Sequence, residues 1–215
     1  MAHPDDEILG CGATISRLAR EGMSVHILIL ATGLTSRGPA DNTSLNTLKQ
    51  EATQAMSCLG ANTIQFADFP DNAMDTRPLL EIIKQVEKFI ATTDPDIIFT
   101  HHNGDINIDH DITQRAVLTA TRRLPDTKPV EIFACDVLSS TEFGRSDSRP
   151  RPDVYFRLEE KDITATKEAL KCYRGEIRSW PHPRSTQALE HKLRLHGAEC
   201  GFQAAEAFEI LRMVR

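Results

Sequence analysis

The run Val25-His26-Ile27-Leu28-Ile29-Leu30 restricts the fold of this 215-residue chain more than any other stretch. It has no polar alternation, and Val25, Ile27 and Ile29 are β-branched, so a strand formed here is buried on both faces. His26 within it reads as a satisfied packing residue. Ile97-Ile98-Phe99-Thr100 has the same character, and Ile64-Gln65-Phe66, Val130–Cys135 and Asp153–Leu158 are further strand candidates. Between them lie helical patterns. Leu45, Leu48, Ala52, Ala55, Met56 and Leu59 trace one face, closed by Gly60. Leu79, Ile82, Ile83, Val86 and Ile90 trace a second, broken by Asp94-Pro95-Asp96, and Ile112, Ala116, Val117 and Ala120 a third. A long helix is predicted through Ala169, Leu170, Tyr173 and Ile177, ending before Pro181. Strands alternating with helices predict an α/β fold: a parallel sheet with helices on both faces.

Length argues for a single domain spanning residues 1–215, large enough to bury a substantial core. A formal charge of −6 without a basic stripe argues against a nucleic-acid surface. No apolar run approaches the ~20 residues of a membrane span, and no secretory signal is visible. The 5 cysteines are scattered and odd in number, never in a Cys-x-x-Cys pair, so free thiols in a reducing compartment are expected and the protein is read as cytoplasmic.

Chemistry concentrates in two places. Ala2-His3-Pro4-Asp5-Asp6-Glu7 carries an imidazole and three acids, then runs into Ile8-Leu9-Gly10-Cys11-Gly12. Pro4 holds His3 to extended geometry, and Ile8, Gly12, Ile15 and Ala19 start a helix near Asp6 or Glu7. The acids then lie at a helix N-terminus, where the macrodipole favours negative charge. His3 and Asp6 are close enough in sequence to share an ion, with Asp5 free beside it; imidazole and carboxylate are ordinary zinc ligands. A bland alternative makes the acids helix caps, but the density of acids and the Gly-x-Gly weigh against it. The second cluster is His101-His102-Asn103-Gly104-Asp105-Ile106-Asn107-Ile108-Asp109-His110, a loop on the C-terminal rim of a strand. In an open α/β sheet such loops line the ligand crevice. His101 and His102 are adjacent and would point to opposite faces, so wall or core roles suit them better than ligation.

Ala-His-Pro-Asp-Asp-Glu followed by Ile-Leu-Gly-Cys-Gly resembles the signature of the LmbE / PIG-L family of zinc-dependent de-N-acetylases. Asp105–His110 resembles the family's second motif, and His182-Pro183-Arg184-Ser185 and Ala205–Glu209 extend the likeness over nearly the whole chain. The first motif is quite specific, the second only in its company. The resemblance implies a Rossmann-like three-layer α/β/α fold with a mainly parallel sheet. It implies a metal-dependent hydrolase that removes an N-acyl group, N-acetyl by default, from an amino sugar or glycoconjugate. The expected metal is zinc, with ferrous iron as the alternative, held by His3, Asp6 and His110. Metal-activated water would be the nucleophile and Asp5 the general base and acid. Asn107 would help stabilise the oxyanion and Asp109 would orient a neighbouring donor. Arg37, Asp71 and His182 are the substrate-binding candidates; an exposed loop arginine, a turn aspartate and a loop histidine are the plain readings of the three.

The chain departs from the family in three respects. Only Met1 and Ala2 precede the first motif, where relatives carry an apolar strand, so the first strand is expected to be truncated by a misplaced start. Leu48 stands where an arginine is common, and Asn107 where some members have histidine. Ser139 to Pro152, rich in Ser, Arg and Pro, is expected to be a long surface loop, a candidate lid. Other classes were weighed. A dinucleotide site fails because Ile15 replaces the third glycine of Gly-x-Gly-x-x-Gly. A metal phosphoesterase would want a richer ligand set, and a catalytically altered metal-binding or assembly protein is left open by Leu48 and Asn107. A homo-oligomer is compatible with the family; the exact substrate is not legible.

Overall fold

The computed structural model of the protein describes residues 1–34, 42–123, 127–144, 147 and 149–214. Twelve elements follow in order: α1 (Asp6–Arg20), β1 (His26–Ala31), α2 (Asn42–Leu59), β2 (Thr63–Phe69), α3 (Leu79–Thr93), β3 (Ile97–His101), α4 (Ile108–Ala120), β4 (Glu131–Cys135), β5 (Val154–Arg157), α5 (Glu160–Cys172), α6 (Thr186–Cys200) and β6 (Ala205–Arg212). β1 pairs in parallel with β2, setting His26 opposite Thr63, and β3 in parallel with β4. β6 then inserts antiparallel between β4 and β5. The fold is mixed α/β, and its strands are not all parallel, since β6 runs antiparallel to both β4 and β5. The physical reason lies in the last third of the chain, where α5 and α6 bring it back as β6 against the direction of β4.

Each central strand feeds two cores, as unbroken apolar runs require. Ile27 and Ile29 of β1 join Phe133 and Cys135 of β4 in a core with α1, α2, α5 and α6. Leu28 and Leu30, with Ile132, face the other way into a core with α3 and α4. His26 is satisfied by Thr63, Nδ1 to Oγ1 at 2.8 Å. The Gly-x-Gly of α1 has a packing cause. A Cβ on Gly10 would stand 2.7 Å from Cys135 Sγ, and one on Gly12 2.8 Å from Thr166 Cγ2, so only glycine lets α1 approach β4 and α5 this closely.

Between the β1–β2 pair and the other four strands lies a cavity of about 450 Å³, walled by Val25–Leu28 on one side and Asp96–Phe99 on the other. Met1 and Ala2 sit at its end. The Met1 ammonium donates to Leu28 O (2.6 Å) and Leu30 N donates to Met1 O (3.0 Å), a parallel ladder that sets Met1 beside Ile29. Ala2 N donates to His101 Nε2 at 2.8 Å, tying the same two residues to the end of β3.

Two predicted boundaries shift. α5 stops at Cys172, because Tyr173 leaves helical geometry (φ −80°, ψ 73°) and carries its buried hydroxyl to Glu7. Among the described residues of Ser139–Pro152, Glu142, Phe143, Asp147, Arg149, Arg151 and Pro152 are exposed, as a surface loop requires, but the start of the segment turns inward. Val137, Ser140 and Thr141 are buried, and Thr141–Phe143 form a 3-10 turn packed against the loop after β3.

The walls of the cavity are largely apolar, as a strand packed between them would require. A Val-Ile-Val-Ile extension ahead of Met1 is therefore expected to raise Tm, by about 2–4 °C for each kcal/mol gained in a chain of this size. A Gly-Ser-Gly-Ser extension should not. Equal melting temperatures for the two, followed by circular dichroism, would show that the cavity does not accept a strand.

Candidate metal centre

Strand ends and helix starts bring the first motif and the loop after β3 together. His3 leaves the Met1–Ala2 ladder, and Asp6 opens α1, its Oδ2 accepting from His3 N at 2.8 Å. His110 lies in the first turn of α4, which Asn107 caps by accepting from Asp109 N (2.9 Å). Asp6 Oδ2 stands 3.3 Å from His3 Nδ1 and 3.2 Å from His110 Nε2. Donor atoms of these three buried residues all lie within 4.8 Å of one another.

Two imidazoles and a carboxylate are the donor set of a catalytic zinc with one open position. The far nitrogens fit that role, because each meets a carboxylate: His3 Nε2 lies 2.9 Å from Asp109 Oδ2, and His110 Nδ1 2.9 Å from Asp105 Oδ2. Such partners fix ring orientation and raise basicity at a metal-facing nitrogen. His3, Asp71 and Asp109 also converge. There, however, His3 Nε2 and both Asp109 oxygens are already engaged, the latter accepting from Asn72 N (2.7 Å) and Met74 N (3.0 Å). The first trio is the better cation site.

The electrostatics show the same demand for positive charge. Burial pulls the His3 pKa down, but the bonds to Asp109 and Asp6 outweigh it and raise it to about 10. His110 is likewise lowered by burial, then raised to about 9 by Asp6 and Asp105. Burial pushes Asp6 up, yet His110, His3 and His101 hold it well below the ordinary carboxylate range. Protons on the two imidazoles stand where a cation's charge would otherwise sit.

Beside this trio is Asp5, 1% exposed and in the left-handed region (φ 100°), a strained conformation for a residue with a side chain. Its N–H donates to Glu7 Oε2 (3.1 Å), and Tyr173 holds the other Glu7 oxygen. Burial raises Asp5 well above its usual value, with Arg184 opposing and Asp6, Glu176 and Glu7 adding to the rise. The Arg184 guanidinium lies 3.3 Å from Asp5 Oδ2 and 2.6 Å from Glu176 Oε2, with Nε donating to Ser139 Oγ at 2.7 Å.

The other predicted residues fall into place unevenly. Asp109 is buried with Oδ2 2.9 Å from His3 Nε2. Asp71 is buried with Oδ1 3.3 Å from His3 Nε2 and accepts from Asn72 Nδ2 (2.8 Å). Asn107, besides its capping bond, donates from Nδ2 to Asn72 Oδ1 (2.9 Å), which commits one of its two amide hydrogens. Arg37 lies outside the described residues. His182 is exposed and its Nδ1 accepts from Arg184 N (3.0 Å), so Arg184 is the member of that turn that reaches Asp5. His101 is fully buried, stacked on His110 with ring centroids 3.9 Å apart. Sequence reasoning missed Asp105 behind His110, the contact of Arg184 (a candidate beside His182 for touching substrate) with Asp5, and the Tyr173 partner of Glu7, a residue expected to act from behind the site. Asp105 could have been found, since it is an acid five residues before a candidate ligand in the same loop; the other two carried no local signal.

Residues 1–121 match the model of the PIG-L family, described as GlcNAc-PI de-N-acetylase. A protein of Escherichia coli K12 named uncharacterized deacetylase YaiS is 28% identical over 129 residues, 58% of this chain and 66% of that protein. A probable N-acetyl-alpha-D-glucosaminyl L-malate deacetylase 2 of Bacillus cereus is 25% identical over 165 residues, 74% of this chain and 73% of that protein. The chain thus spans about two thirds to three quarters of these relatives. Among solved structures, the N,N'-diacetylchitobiose deacetylase of Pyrococcus horikoshii superposes with a TM-score of 0.76 at 18% identity, covering 97% of this chain and 80% of that one, a likeness of fold.

The raised imidazole pKa values fix a sign. Metal-free protein keeps protons on His3 and His110 at pH values where the unfolded chain, near 6.5, has lost them. That stabilisation is fully present below pH 6.5 and is lost as pH rises through about 9 to 10. Calorimetric Tm of the chelator-treated protein is expected to fall over this window, and zinc affinity to rise over it as the ion displaces those protons. A zinc affinity independent of pH would contradict the assignment.

Proposed function

The chain belongs to the PIG-L family of de-N-acetylases, and on that footing we propose that it is a metal-dependent hydrolase removing an N-acyl group, N-acetyl by default, from an amino sugar or glycoconjugate. The observation that carries this reading is the meeting of His3, Asp6 and His110 beside a buried Asp5 carboxylate that is ion-paired to Arg184. Bound there, zinc or ferrous iron would act as a Lewis acid and bring the pKa of a water to about 7. Asp5 takes the proton from the attacking water and returns it to the departing amine, which is a poor leaving group unless protonated. Its strained backbone aims the carboxylate, and the Glu7 bond to its N–H holds that strain in place. A cation on the neighbouring ligands and Arg184 at 3.3 Å both favour the ionised form that a base requires.

Asn107, with one amide hydrogen uncommitted, is the donor proposed for the developing oxyanion. Asp71, at the rim beside His3, is proposed to accept from sugar hydroxyls, and His182 and Arg37 to contact the remainder of the substrate. The substrate class follows the B. cereus relative, whose name gives an N-acetylglucosaminyl compound. All 5 cysteines are free thiols, which suits a reducing, cytoplasmic setting.

Asp5→Asn preserves shape but removes the base. It is expected to bind zinc with unchanged stoichiometry while losing about 10²–10⁴-fold in turnover of N-acetylglucosamine derivatives, read as released amine. Wild-type-like turnover in this variant would remove Asp5 from its role. Loss of zinc together with turnover would make it a ligand rather than a base.

A further inference from the structure

The turn Ser139–Glu142 hydrogen-bonds not to the ligand trio but to the carboxylate behind one ligand. Ser140 Oγ donates to Asp105 Oδ1, and Thr141 Oγ1 donates to Asp105 Oδ2 at 2.6 Å. Asn107 N adds a bond to Oδ1 at 2.8 Å. Oδ2, so held, is the oxygen 2.9 Å from His110 Nδ1, and His110 Nε2 is the atom facing Asp6. Asp105 therefore has its position set by two hydroxyls from another segment.

The turn itself is built to stay rigid. Ser139 adopts φ 69°, and the Glu142 carboxylate caps it, accepting from Ser139 N (2.7 Å) and Ser140 N (3.0 Å). Thr141 Oγ1 also accepts from Val137 N at 2.7 Å, so its hydroxyl hydrogen is left for Asp105. Just beyond, a Cβ on Gly144 would stand 1.9 Å from Gly104 O, so the turn lies directly on the loop that carries Asp105.

We propose that Ser140 and Thr141 are positioning residues for the metal centre: through Asp105 they lock the ring of His110 with Nε2 towards the ion, and so set its affinity. The inference rests on His3, Asp6 and His110 being the ligands. Partners behind a ligating histidine are worth about 10–100-fold in metal affinity. Glu142 acts at one further remove, by holding the turn.

The test is zinc affinity by chelator competition, with Tm of each metal-free variant measured alongside. The double variant Ser140→Ala/Thr141→Val is expected to bind zinc at least about 10-fold more weakly. Thr141→Ser, which keeps the hydroxyl, should bind as wild type does, and Ser139→Ala should too, because its hydroxyl reaches Arg184 instead. If the double variant does not fold, Asp105→Asn carries the same expectation without changing shape. Equal affinity in the double variant, or in Asp105→Asn, alongside a wild type that binds one zinc, overturns this proposal alone. A wild type that binds no zinc overturns the ligand set beneath it.

Discussion

A carboxylate enclosed by imidazoles is the interaction on which this structure depends. Asp6 is 2% exposed, with His3 and His110 within 3.3 Å of the same oxygen and His101 at 3.5 Å. Removing an ion from water costs several kcal/mol unless charge and hydrogen bonds replace the solvent. Here that compensation comes from residues over a hundred positions apart in the chain. The folded state can therefore close only when the first motif and the loop after β3 arrive together, each imidazole already backed by its own acid. The result is a compact alternation of positive and negative groups: Asp109 behind His3, Asp105 behind His110, Arg184 against Asp5. A divalent cation would complete it with better geometry than protons do.

The scaffold serves this junction. The loops that carry Asp71, Asp105 and Thr141 all leave the C-terminal ends of strands, and the first motif joins them through the ladder that Met1 and Ala2 make with β1. The paired glycines of α1 bring the motif helix down onto β4 and α5, close enough for Tyr173 to reach Glu7. Strain is concentrated in a few residues beside the centre. Asp5, Asn72 and Ser139, three of the non-glycine residues with positive φ, lie in the site or hold it. Each has its backbone N–H fastened by a carboxylate, Glu7 at Asp5, Asp109 at Asn72 and Glu142 at Ser139, which is how sparsely populated backbone persists at functional sites.

Much of this was legible in the sequence, for physical reasons. Two-faced strands announce themselves by unbroken apolar runs, and β1, β3 and β4 lie within a residue or so of where those runs placed them. The meeting of His3, Asp6 and His110 was expected from the density of acids and imidazoles in the first motif and, for His110, from the likeness of its loop to the family's second motif. The direction of β6 was not, since pairing partners are chosen by tertiary contacts that Ala205–Glu209 does not encode locally. Within Ser139–Pro152, whose described residues from Glu142 onward are mostly exposed as expected, Ser140 and Thr141 depart for a related reason. Both look solvated in isolation, and only the position of Asp105 turns them into buried donors. Tyr173 continued a helical pattern and was read as helix, whereas the pull of Glu7 takes it out of one. Arg184 lay beside a more conspicuous histidine, and nothing local could say which of the two would face Asp5.

The account stands on one ion shared by the two motifs. Crystals of the protein loaded with zinc, with anomalous diffraction collected on both sides of the zinc edge, test that most directly. The account predicts one strong peak about 2.0–2.2 Å from a nitrogen each of His3 and His110 and from an oxygen of Asp6, with Asp5 beside the open position. A peak coordinated elsewhere, or none at this cluster under zinc that saturates the protein in solution, would contradict it.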